Sequence, residues 1–138
     1  MCMPKLTVVQ QESQAEGKTV RVLVVDDDPA IRRLVIATLK RDGYTFDEAG
    51  NGREALQHMR AHHPDCVVLD LMMPISSGWD VLQERGHDPE LTKIPVIVVS
   101  ANREPELLKA LDKGICAFLP KPFDITALSA LVRACVNQ

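Results

Sequence analysis

Short apolar runs alternate with amphipathic segments along most of this 138-residue chain. Val20-Arg21-Val22-Leu23-Val24-Val25 is β-branched and bounded by acids, which predicts a strand buried on both faces. Asp28 then predicts a helix cap, with Pro29 as the first helical residue. Ile31, Leu34, Val35 and Leu39 give that helix one apolar face, and Gly43 ends it. A weaker strand follows over Tyr44 to Ala49, then a turn at Asn51-Gly52, then a helix over Arg53 to Ala61 with Leu56 and Met59 inward. Cys66-Val67-Val68-Leu69 predicts a third buried strand ending at Asp70, and a loop over Leu71 to Gly78 leads to a helix over Trp79 to Arg85. Pro95 to Val99 is the fourth strand, ending at Ser100. Glu104 to Lys113 predicts a helix with Leu107, Leu108 and Leu111 on one side, stopped by Gly114. Ile115 to Leu119 is a short fifth strand, and Asp124 caps a last helix bearing Leu128, Leu131, Val132 and Cys135.

Five strands and five helices in strict alternation predict a doubly wound α/β domain: a five-stranded parallel sheet with helices on both faces and right-handed crossovers. The length suits one domain over residues 20–138, with 1–19 expected to be a disordered tail. An apolar fraction of 46% and a charged fraction of 25% are those of an ordinary globular chain. The net charge of −3 supplies no basic field for nucleic acid or an anionic membrane. No run approaches the roughly 18 apolar residues of a membrane span, and the N-terminus lacks the apolar stretch of a signal peptide. A cytoplasmic protein is therefore expected, and the tail with its Met1 favours a standalone regulator over a fragment of a longer protein. Cys2, Cys66, Cys116 and Cys135 lie far apart with no CxxC pair, and three fall in apolar runs; buried reduced thiols are expected in place of a disulfide or zinc framework. The histidines His58, His62, His63 and His87 do not predict a metal site. The pairs Arg32-Arg33 and Lys40-Arg41 read as solvated helix surface.

The polar residues sit at informative places. Ligands of open α/β sheets bind beyond the carboxyl ends of the strands. Here the first strand ends at Asp26 and Asp27, the third at Asp70, the fourth at Ser100 and the fifth just before Lys121. Three carboxylates, a hydroxyl and an ammonium thus converge on one rim. Carboxylates so close repel unless a cation intervenes, and Mg²⁺ takes oxygen ligands and favours phosphate. One carboxylate then serves as nucleophile, as in aspartyl-phosphate chemistry, with Lys121 and Ser100 stabilising charge on the transferred group. Taken singly, each residue has a plainer reading: a loop acid, a turn residue, a strand-end hydroxyl, a solvated lysine. Joint placement on one rim carries the reading.

The same residues lie in blocks that resemble the four signatures of bacterial response-regulator receiver domains. These are Val24-Val25-Asp26-Asp27-Asp28; Leu69-Asp70-Leu71-Met72-Met73-Pro74 with Gly78; Val98-Val99-Ser100-Ala101; and Phe118-Leu119-Pro120-Lys121-Pro122-Phe123. The resemblance covers roughly residues 20–136. It implies a flavodoxin-like sheet of order 2-1-3-4-5, the order given for doubly wound receivers. It further implies that Asp70 is the phosphoacceptor and that Asp27 binds Mg²⁺, with Asp26 directly or through water and the Met72 carbonyl completing the set. Ser100 would bond one phosphoryl oxygen, Lys121 would pair with another, and Phe118 matches the aromatic that swings inward when the hydroxyl residue moves. The Lys121-Pro122 bond is expected to be cis. Ser100 stands where many receivers have threonine, Ser76 where an apolar residue is common, and the stretch from Ser100 to Phe118 is one residue short of the family pattern.

The implied role is a two-component (phosphorelay) switch, phosphorylated by a sensor histidine kinase or a phosphotransfer protein. The phosphorylated face, formed by the fourth helix, fifth strand and last helix, would bind a downstream protein, with scope for a phosphorylation-dependent dimer. Three other classes compete. A hydrolase with an aspartyl nucleophile usually adds an acid two residues later, where this chain has Met72. A flavin carrier on this fold needs a phosphate loop rich in Ser, Thr or Gly, whereas Asp26-Asp27-Asp28-Pro29 would repel the anion. A phosphate-independent interaction module does not need the intact acids.

Overall fold

The computed structural model describes residues 19–101 and 114–137. The expected helix over 104–113 and nearly all of the expected tail lie outside the described residues. Strand β1 (Arg21–Val25) leads to α1 (Pro29–Leu39) and a 3₁₀ turn (Lys40–Asp42). Then come β2 (Thr45–Ala49), α2 (Gly52–His62), β3 (Cys66–Asp70), α3 (Gly78–His87) and the single-turn α4 (Pro89–Thr92). The chain continues through β4 (Val96–Ser100), β5 (Ala117–Pro120) and α5 (Ile125–Val136). All strands are parallel, in the order β2-β1-β3-β4-β5. The doubly wound fold and its strand order are as expected. Among the described residues, no helix is long and apolar enough to cross a membrane.

The alternation of side chains along each inner strand builds two cores. Leu23, Val25, Val67, Leu69, Val96 and Val98 face α2 and α3, where they meet Ala55, Met59, Val81 and Leu82. Val22, Val24, Cys66, Val68, Ile97 and Val99 face α1 and α5, where they meet Val35, Leu39, Leu128 and Val132. Strands loaded on both faces in this way cannot slip by one residue without exchanging the two cores, so the rim registers are firmly set.

Local chemistry fixes the helix starts. The Asp28 carboxylate accepts from the Ala30 N–H at 2.9 Å, with Pro29 at the first helical position as expected. Asn51 and Gly52 are not a separate turn: Asn51 caps α2, accepting from the Glu54 N–H at 3.0 Å, and Gly52 is its first residue. Ser77 and Asp80 form a capping box that starts α3. Gly43 closes α1 and its 3₁₀ turn at φ 85°, a left-handed conformation that glycine adopts without steric cost.

Other expectations need correction as well. Leu34 does not face the core; it is 52% exposed, since α1 turns only Val35 and Leu39 fully inward. The one-turn helix α4 was not foreseen, although Asp88 caps it and Pro89 opens it in the same pattern as α1. The cysteines are not all reduced thiols. Cys116 and Cys135 form a disulfide, with Cα atoms 6.3 Å apart, linking the entry of β5 to the last turn of α5. Their separation of 19 residues matches no short cysteine motif, and only the fold brings them together. Closing a loop of that size stabilises by about 3 kcal/mol on the chain-entropy account. Cys66 remains a free, buried thiol, and burial, with some help from the Asp65 charge, pushes it up to about 12.

Arg85 ties the loops at the lower edge of the sheet. Its side chain is almost fully buried, and its guanidinium donates to the carbonyls of Ile94, Thr92 and Gly114 at 2.8 to 3.2 Å. The Thr92 hydroxyl donates to the Arg85 carbonyl at 2.7 Å, closing the connection in both directions. Truncation would strand the buried Ile94 carbonyl, and hydrogen bonds to a charged donor contribute more than neutral ones. Arg85→Ala is expected to lower stability by about 2–4 kcal/mol, measured by urea denaturation, with the m-value unchanged.

Candidate functional site

The rim where β1, β3, β4 and β5 end brings the predicted residues together. Asp26 follows β1, and its N–H donates to the Ala49 carbonyl at 3.1 Å, carrying the β1–β2 pairing one step past the strand. One of its carboxylate oxygens accepts from the Asp28 N–H at 2.9 Å and the other from the Lys121 ammonium at 3.0 Å. Asp26 is thereby aimed inward and buried, while Asp27, next in the chain, is exposed. Asp70 is the last residue of β3 and only 4% exposed. Its Oδ1 accepts from the Met72 N–H at 3.2 Å, and its Oδ2 lies 3.4 Å from Lys121 Nζ.

Lys121 reaches this position because its N–H donates to the Ser100 carbonyl at 2.9 Å, extending the β4–β5 ladder beyond Pro120. The Lys121-Pro122 peptide is cis, as the family resemblance implied. Ser100 ends β4 and is fully buried. Phe118 pairs with Val98 across the β4–β5 register and packs, partly buried, against the core on the α2–α3 side. The side chain of Met72 is exposed beyond the acids.

Arg32 and Gly78 also shape the rim. Arg32 is not a solvated surface cation: it donates to the Asp26 backbone carbonyl at 2.6 Å and to Glu48 at 2.8 Å. Its place four residues after the Asp28 cap, on the turn of α1 beside the rim, was the available signal. Gly78 opens α3 hard against the Asp70 backbone, and a Cβ there would collide with the Asp70 carbonyl and the Leu71 Cα. Ile75, in the loop between them, holds a positive φ of 70° with its side chain in solvent.

The electrostatics follow from the crowding. Burial, above all, raises the Asp70 carboxyl above its ordinary value; the nearby Asp26 charge adds to that, and Lys121 and the Met72 N–H only partly oppose it. At Lys121 burial pulls the other way, yet the bond to Asp26 and the two carboxylate charges outweigh it, so the ammonium is held more firmly than usual. The Lys121 ammonium thus pairs with the two buried acids, Asp26 and Asp70, with the exposed Asp27 beside them.

Asp26, Asp27 and Asp70 each place a carboxylate oxygen within 4.8 Å of the others. Among the described residues this is the one group of three or more metal-binding side chains so gathered. An all-oxygen, anionic donor set suits a hard divalent cation and offers nothing to a soft one. Ligands of an octahedral Mg²⁺ lie about 3 to 4 Å apart, given bonds of about 2.1 Å, so this spacing leaves room for water between some carboxylates and the ion.

Known proteins are similar to this chain in sequence and in fold. The family model for the response regulator receiver domain matches residues 22–133. The response regulator MprA of Mycolicibacterium vanbaalenii is 40% identical over 123 residues, which is 86% of this chain and 51% of that protein. MprA of Mycobacterium tuberculosis is 38% identical over 122 residues, 87% of this chain and 52% of its own length. The chain therefore spans about half the length of the curated relatives it matches. Among solved structures, the receiver domain of Francisella response regulator 1452 superposes with a TM-score of 0.78 at 30% identity, covering 86% of this chain and 98% of that one. The chemotaxis response regulator CheY4 of Vibrio cholerae superposes with a TM-score of 0.76 at 28% identity, covering 86% and 99%. With its parallel sheet in the order 2-1-3-4-5, its acids at the ends of β1 and β3 and a family match over most of its length, the chain belongs to the response regulator receiver domain family of two-component systems.

Proposed function

We propose that this domain is a Mg²⁺-dependent phosphoryl switch whose acceptor is Asp70. The observation that carries the reading is the setting of the Asp70 carboxylate: buried at a strand end, 3.4 Å from an ammonium and grouped with two further acids. An Asp70 oxygen attacks the phosphorus of a phosphohistidine on a sensor kinase or phosphotransfer protein. The P–O bond forms as the P–N bond breaks, and the electron pair leaves with the imidazole, which takes a proton from solvent.

Asp26, Asp27, Asp70 and the Met72 carbonyl would hold Mg²⁺, which supplies charge neutralisation for the acceptor and the incoming phosphoryl oxygens. Asp26 orients this set through its bonds to Asp28 and Lys121. Lys121 lies between Asp26 and Asp70, poised to exchange a carboxylate for a phosphoryl oxygen. Ser100 offers its hydroxyl to another, and Phe118, three residues before Lys121 on β5, would follow it inward. Phosphorylation then biases a two-state equilibrium of the face that includes β5 and α5, where a downstream protein binds. The domain works in the cytoplasm, and its only catalysis is on itself.

Incubation with acetyl phosphate and Mg²⁺ is expected to add one phosphoryl group by intact mass. The adduct should be absent from Asp70→Asn and lost when EDTA replaces Mg²⁺; an unlabelled parent, beside a receiver that labels, would defeat the reading. Lys121→Ala is expected to slow labelling about 100-fold, the usual effect of removing one charge-stabilising donor, as measured by the time course of the adduct.

The acceptor also predicts a pH dependence. Because the folded-state value of Asp70 is raised, its contribution to stability is fully present below the unfolded-state value and is lost as pH rises through the raised one. Asp70→Asn should therefore be more stable than the parent near neutral pH without Mg²⁺, and the advantage should shrink as the medium is acidified. Mg²⁺ at ten times its dissociation constant should narrow the same gap by stabilising the parent by about 1.4 kcal/mol. Thermal melts at stepped pH, with and without Mg²⁺, read both effects.

A further inference from the structure

The Cys116–Cys135 bond joins β5 to α5 covalently, beside a core that both elements share through Ala117, Leu119, Leu128 and Val132. β5 is an edge strand paired with β4, and all four of its residues are partly exposed. Its entry is fixed by the Cys116 N–H, which donates to the Val96 carbonyl at 2.7 Å, and by the disulfide to α5. Its other end delivers Lys121 to the acid rim.

The bond lies close to solvent on the Cys116 side, while Cys135 is 2% exposed. Cys135 lines an open cavity of about 440 Å³ together with His63, Asp65, Lys93, Pro95 and Val136. Asp65 and Pro95 precede β3 and β4, so this cavity lies at the amino ends of the strands, opposite the acid rim. Cys116 is partly exposed. The third described cysteine, Cys66, is buried in the same core as Cys135, and burial holds its thiol protonated, so it is a poor competitor for either partner.

We propose that Cys116 and Cys135 form a reversible redox modification site that exchanges with small thiols and disulfides and sets how tightly β5 is held to α5. Closing it needs a small disulfide, RSSR, as oxidant. One cysteine thiolate attacks an RSSR sulfur, forming a mixed disulfide and releasing RS⁻. The second thiolate then attacks the protein sulfur of that mixed disulfide, forming the Cys116–Cys135 bond and expelling the second RS⁻. Two electrons pass to RSSR, and the two cysteine protons end on the two departing thiolates. Opening is the reverse, by two equivalents of RSH. In a reducing compartment such a pair is a sensing element, not a permanent brace.

The site is tested on the full chain carrying Cys2→Ser, equilibrated in buffers of stepped reduced-to-oxidised glutathione ratio, then alkylated and mapped by peptide mass. Cys116 and Cys135 are expected to become alkylatable in step, within the span of ratios used, while Cys66 stays unlabelled in the native protein. Hydrogen exchange on the two end states should show β5 and α5 amides exchanging about tenfold faster once reduced. The melting temperature should fall by about 10 °C. Cys116→Ser should show the reduced pattern at every ratio. A bond that survives a large excess of reduced glutathione, thiols alkylated together at every ratio, or identical exchange in both states would overturn the proposal. None of these readouts uses phosphoryl transfer, so a protein that fails to label at Asp70 yet shows the coupled redox transition would sink the proposed function and leave this site standing.

Discussion

The ammonium of Lys121, 3.0 Å from Asp26 and 3.4 Å from Asp70, is the contact on which the acid rim depends. Two buried carboxylates facing each other at the end of a sheet would otherwise repel strongly, and the cheapest relief would be to protonate one or to splay the strands. The lysine permits neither fully. It comes from the far side of the sheet, delivered by the continuation of the β4–β5 ladder, so the electrostatics of the rim are bound to the pairing of an edge strand. Three clustered carboxylates outweigh the one ammonium that pairs with two of them, an excess of negative charge that a divalent cation can offset.

The two cores make this rim possible. Strands with apolar side chains on both faces are pinned in register, and the first polar residue at each carboxyl end is therefore delivered to a known height. Helix caps work to the same end. Asp28 starts α1 at once after the acids, and the Asp28 N–H that this geometry frees is the one that orients Asp26.

Much of this was legible in the chain, because inner strands of a parallel sheet are unbroken apolar runs and the residue that ends each run is plain. Asp26, Asp70, Ser100 and Lys121 could be placed on one rim for that reason. What was hidden depends on contacts between residues remote in sequence. Arg32 looks like any helix-surface cation until the Asp26 carbonyl is beside it, and Arg85 until the loops after α3 fold over it. Leu34 fits the helical apolar period, but α1 meets the sheet over a narrower stripe than the period allows. The Cys116–Cys135 pair follows no local spacing, since a strand and a helix folded back on it set the distance.

Gly78 has a consequence of a mechanical kind. The chain leaves the acceptor at Asp70, travels through Leu71 to Ser77 and returns with Gly78 packed on the Asp70 carbonyl, its own N–H donating to Leu71 at 3.0 Å. The loop is thus a closed lap that starts and finishes at the same peptide, with no room for a side chain where it closes. A side chain at position 78 would therefore have to displace either the acceptor's own peptide or the first turn of α3, so the spacing between them is set by the absence of one methyl group.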